Sequence, residues 1–110
     1  MAEDLSLDAL REEIDKIDEV IVRLLDSRAR CVYTIGRIKH EKGLPIYEPQ
    51  REASVIAHVK ELNIKLGGPL DEHAIARLYE RIMDEARRIQ RIEAKVEPVP
   101  TDPDDFVERE

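Results

Sequence analysis

Apolar residues in the N-terminal half of the chain recur every three or four positions. Leu7, Leu10, Ile14, Ile17, Ile21 and Leu24, then Cys31, Ile35 and Ile38, share one face of an α-helix. They form a heptad seam with one polar interruption, Arg28. The spacing predicts a helix from Ser6 or Leu7 to about Lys42, stopped at Gly43 and barred from continuing by Pro45. At ~1.5 Å per residue it would be roughly 50 Å long. Two short helices of the same chain cannot cover a seam of that length, which implies a second chain. The next apolar line is Val55, Val59, Leu62 and Leu66, in a helix that starts at Glu48–Pro49 and ends before Gly67 and Gly68. One step back along that line lies Glu52. A third helix starts at Asp71, a natural N-cap, and follows Ile75, Leu78, Ile82, Ala86 and Ile89 until it fades near Ile92. Gln90 stands one turn beyond Ala86. From Lys95 onward the periodicity ends, and three of the six prolines fall in an acidic stretch. The chain therefore reads as all-α: three helices, one very long and two shorter, in residues 1–94, and a flexible acidic tail in residues 95–110.

Composition narrows the class. The chain is 42% apolar and 39% charged with no Trp, so its core must be built from aliphatic side chains, which suits helix-on-helix packing. The 110 residues suffice for one domain with a modest core. The formal charge of −7 disfavours nucleic acid and anionic membrane as partners. A lone Cys excludes an internal disulfide. The acidic N-terminus does not read as a signal peptide, and no run is long enough to span a bilayer, so a cytoplasmic location is expected.

Candidate chemistry comes from polar residues on lines that should be buried. Arg28, Glu52 and Gln90 do this on three different helices. Singly, each has an ordinary explanation: a register device or snorkelling side chain for Arg28, a capping group for Glu52. Together they mark a place where buried charges await a ligand. Lys39 lies eleven residues after Arg28, three helical turns plus about 20°, so the two share a face ~16 Å apart. Arg11 flanks the same seam but lies roughly 42 Å before Lys39. If both bind ligand, they serve sites on different subunits. Cations, one amide and the carboxylates Glu48 and Glu52 suit a small dicarboxylate bearing a hydroxyl. There is no Gly-rich phosphate loop, no metal spacing among His40, His58 and His73, and no nucleophile–base arrangement. Cys31 reads as core. Arg77, Arg81, Arg88 and Arg91, alternating with acids, read as a solvated face. Any reaction here must work by positioning and electrostatics, without metal or cofactor.

"LDALREEIDKIDEVIVRLLDSRARCVYTIGRIK", "YEPQREASVI" and "ARLYERIMDEARRIQ" together resemble the all-helical (AroQ-type) chorismate mutases, over roughly residues 5–92. The resemblance implies an intertwined, helix-swapped homodimer that isomerises chorismate to prephenate in phenylalanine and tyrosine biosynthesis. By position, Arg11 would reach a substrate carboxylate in the partner's site and Arg28 would bind the other carboxylate. Lys39 would reach a carboxylate and the ether oxygen, with Gln90 as second donor to that oxygen. Glu52, helped by Glu48, would bind the ring hydroxyl, and Arg51 would support this end of the pocket. Ala86 departs from the Ser of many relatives and removes a substrate hydrogen bond worth ~1 kcal/mol. Two other activities fit the same residues. One is an isochorismate–pyruvate lyase on the same fold. The other is a non-catalytic helical module regulating a partner enzyme of the shikimate pathway, which would be expected to have lost part of this set.

Overall fold

The computed structural model describes residues 6–93, which fold into three α-helices. The tail expected over residues 95–110 lies outside them. α1 spans Leu7–Lys42, α2 Pro49–Leu66 and α3 Glu72–Glu93. Their ends sit where local chemistry puts them. The Ser6 hydroxyl accepts from the Ala9 N–H at 3.0 Å and starts α1. Gly43, at φ 67°, takes the left-handed turn that ends α1, and the Leu44 N–H closes back on the Lys39 carbonyl. Pro49 opens α2. The Asp71 carboxylate accepts from the Ala74 N–H at 2.8 Å and opens α3.

The described residues divide into two compact units, one ending at Cys31 and the other beginning at Val32. In the first unit every side chain from residue 6 to 26 is exposed. Seam residues Leu10, Ile14, Ile17, Ile21 and Leu24 expose 45% to 64% of their surface. Cys31, expected in a core, is also exposed, because it lies on this same uncovered seam.

The second unit holds the core. α2 and α3 pack together as a helical hairpin, with the Asn63 side-chain amide donating to the Leu70 carbonyl across the turn. The end of α1 packs on α3, but not through the expected seam. Val32, Gly36 and Lys39 are buried, whereas Ile35 and Ile38 are exposed. The inward stripe steps by four and three residues along the face of Lys39, one position round from the apolar seam. On α3 the buried residues are Met83 and Gln90. Leu62, Leu66 and Leu78, on the expected apolar lines of α2 and α3, are exposed as well.

Candidate active site

Among the described residues the buried polar side chains are Lys39 and Gln90, 8% and 7% exposed, and they touch. A buried ammonium is costly unless each of its three protons finds an acceptor. Lys39 Nζ donates to the Ile46 carbonyl at 2.8 Å and to Gln90 Oε1 at 3.0 Å, and it pairs with Glu48 Oε1 at 3.3 Å. Lysine has no acceptor, so the Gln90 amide must turn its oxygen to it. That orientation leaves the amide N–H groups to donate elsewhere. Glu48 occupies the N-cap position of α2 but makes no side-chain cap; its carboxylate goes to Lys39 instead.

The close approach of α1 to α3 depends on Gly36. A Cβ on Gly36 would lie 3.0 Å from both Cα and Cγ of Gln90. The missing side chain lets α3 come near enough for Gln90 to reach Lys39, one turn further along α1.

A second cluster lies beside the same chain segment. Glu52, half-buried in the first turns of α2, takes a short hydrogen bond from Arg87 Nη1. Arg87 also pairs with Asp84 and places its guanidinium 5.7 Å from the centre of the Tyr47 ring. The hydrogen bond to Glu52 is the main cause that holds the Arg87 guanidinium above its ordinary range. Arg87 is not conspicuous in the sequence, standing beside Arg88 in a helix rich in Arg and Glu. Its signal was position: Met83, Arg87 and Gln90 step by four and three along one stripe of α3.

The remaining expected residues are more scattered. Arg28 is half-buried and Arg11 exposed, both in the first unit. Arg51 is exposed at the start of α2, and Ala86 is half-buried one turn before Gln90. The described contacts of Glu52 run to Arg87, not to Lys39 or Gln90. His40, His58 and His73 are exposed, and among the described residues no group of His, Cys, Asp or Glu is placed to hold a metal ion. Arg88 pairs with Glu85 on the solvated face expected of α3.

Residues 10–91 match the family described as chorismate mutase type II. A solved chorismate mutase of Thermus thermophilus superimposes with a TM-score of 0.73 at 35% identity, covering 77% of this chain and 93% of that one. The chain belongs to the chorismate mutase type II family. It is also 42% identical over 88 residues to a bifunctional chorismate mutase/prephenate dehydratase of Pseudomonas aeruginosa, covering 76% of this chain and 23% of that protein. To a Methanocaldococcus jannaschii chorismate mutase it is 25% identical over 82 residues, 81% of that protein. The chain thus spans about a quarter of the length of its bifunctional relatives, and most of the length of the T. thermophilus and M. jannaschii chorismate mutases. The type II match takes in both clusters, from Lys39 to Gln90, and Arg11 as well.

Proposed function

We propose that the chain is a chorismate mutase, converting chorismate to prephenate with no cofactor, and that the buried Lys39–Gln90 pair carries the reaction. The rearrangement is intramolecular: an ether C–O bond breaks while a C–C bond forms. It needs no nucleophile and no proton transfer. It needs the substrate held in its folded, reactive shape and stabilisation of the negative charge that grows on the ether oxygen. Lys39 Nζ donates to Gln90 Oε1 at 3.0 Å in a largely dry setting, which fixes the amide with its own N–H groups left to donate, and Lys39 can turn the proton of its longest contact, 3.3 Å to Glu48, to the ether oxygen. Fixed donors of this kind are worth ~3–4 kcal/mol each at a developing oxyanion. Arg28 binds one substrate carboxylate, Lys39 reaches toward a carboxylate as well as the ether oxygen, and Arg51 supports that end of the site. Glu52 and Glu48 accept from the ring hydroxyl. Ala86 offers apolar contact in place of a hydroxyl.

The working form is an intertwined homodimer in which Arg11 of each chain binds a carboxylate in the partner's site. The exposed seam supports this reading, because burying a Leu or Ile side chain contributes ~1.5–3 kcal/mol and a soluble monomer would forgo that at every seam position.

The test is loss of chorismate absorbance with the product identified. Prephenate is expected; salicylate and pyruvate from isochorismate would show the lyase instead, and turnover of neither substrate would show a regulatory module. Lys39→Ala should lower kcat at least about a hundredfold. Near-normal kcat in that variant would remove Lys39 from the mechanism.

A further inference from the structure

Lys39 and Arg87 both hold one short segment. Lys39 binds the Ile46 carbonyl and the Glu48 carboxylate, and Arg87 binds Glu52 and faces the Tyr47 ring. Residues 46–52 are therefore fixed between two cations that come from α1 and α3. Arg87 could have been a receptor for a substrate carboxylate, but its guanidinium is already committed. Nη1 goes to Glu52, Nη2 to Asp84, and its side chain is only 23% exposed. Both carboxylates that would neutralise a free anion receptor are in place.

The pairing uses a single oxygen of Glu52. Oε2 takes the Arg87 N–H, which leaves Oε1 as an acceptor whose direction is set by the first bond. Glu52 also lines an open groove between α2 and α3 with Ile56, Lys60, Glu80 and Met83. Lys60 also lines that groove, but the ion pair that Glu52 makes is with Arg87. We infer that Arg87 is a positioning residue for catalysis: it aims the Glu52 carboxylate at the ring hydroxyl of the substrate, without touching substrate itself. This rests on the chorismate mutase reading and assigns Arg87 a part in that same site.

The test is a double-mutant cycle read in steady-state kinetics, with Glu52→Gln, Arg87→Met and the two combined. Arg87→Met is expected to lose about 10- to 100-fold in kcat/KM, the scale of a misdirected binding group. The double variant should lose no more than the worse single variant, because Arg87 acts only through Glu52. Arg87→Lys keeps the charge but not the planar fork and should recover only part of the loss. Arg88→Met, at the neighbouring exposed pair with Glu85, should behave as wild type. A purely structural role for Arg87 would instead give losses that multiply in the double variant, and that result overturns the inference, as does wild-type kinetics in folded Arg87→Met. If Arg87→Met does not fold, Arg87→Lys with Glu52→Gln reads the same coupling and decides in the same way. The wild-type assay separates the two levels. No turnover of chorismate ends the functional reading and this inference with it, whereas turnover with uncoupled variants ends this inference alone.

Discussion

Gly36 shows how much one absent side chain can decide. One of the two atoms nearest a Cβ there is Gln90 Cα, which is backbone and cannot swing aside. Gly36→Ala must push α1 and α3 apart. Overpacking of this kind costs ~1–3 kcal/mol, less up to ~1 kcal/mol that Ala returns as a better helix former. A lower melting temperature in calorimetry is expected, by roughly 4–8 °C for each kcal/mol of net loss. Parting the helices also separates Gln90 from Lys39, so kcat should fall more than KM rises. Unchanged kcat would show that the donor pair tolerates a wider gap. Gln90 was legible in the sequence because a polar residue on or beside a helix line that should be buried is conspicuous, and Lys39 because it shares a helix face with Arg28 eleven residues earlier. Gly36 was not, since a lone Gly within a helical pattern reads only as a weak point. Arg87 was hidden for another reason. It stands next to Arg88 in a helix dense with Arg and Glu, and only the observed burial of Met83 and Gln90 picks out the stripe that contains it.

At the scale of elements, helix ends were the most legible feature because caps are local chemistry. Ser6, Gly43, Pro49 and Asp71 each mark a boundary through their own side chain or backbone freedom. The face that each helix buries was harder to read. Toward the end of α1 the apolar seam of Cys31, Ile35 and Ile38 outscores the stripe of Val32, Gly36 and Lys39, yet the second is the one buried by this chain. Hydropathy reports that a face seeks cover, not which neighbour supplies it. The cap of α3 has its own pH signature. The Ala74 N–H, then a smaller contribution from the His73 N–H, lowers the Asp71 carboxyl below its ordinary value. A group with a depressed folded pKa stabilises the fold above its unfolded value, about 3.9, and loses that contribution as pH falls through the folded value. Asp71→Ala should therefore melt below wild type at pH 7, and the gap should narrow as the pH falls below about 4. A gap that stays constant from neutral to acid pH would mean that the ionised cap is not what α3 gains from Asp71.

For the molecule as a whole, the proposed dimer makes a quantitative demand. If Arg11 serves the partner's site and Lys39 its own, then Arg11→Ala and Lys39→Ala damage sites through different chains. Each variant alone has the same defect in both of its sites. In a mixed dimer, one site collects both defects and the other collects neither. Unfolding and refolding an equal mixture should make about half the dimers mixed, and so restore roughly a quarter of all sites. Activity near a quarter of wild type, from two nearly inactive parents, is the expected result. Refolding matters because an intertwined dimer exchanges chains slowly without it; mixing the folded variants should restore activity only over a long incubation. A monomer, or a dimer whose sites each take Arg11 and Lys39 from one chain, gives no recovery under either protocol. Ile17→Lys provides the matching control on assembly. It places a charge at the seam, where Ile17 is 48% exposed in the single chain, so it should leave an isolated chain's fold intact yet prevent pairing and abolish the recovery. Light scattering on that variant distinguishes loss of the dimer from loss of a catalytic group, because in Lys39→Ala the dimer is expected to persist.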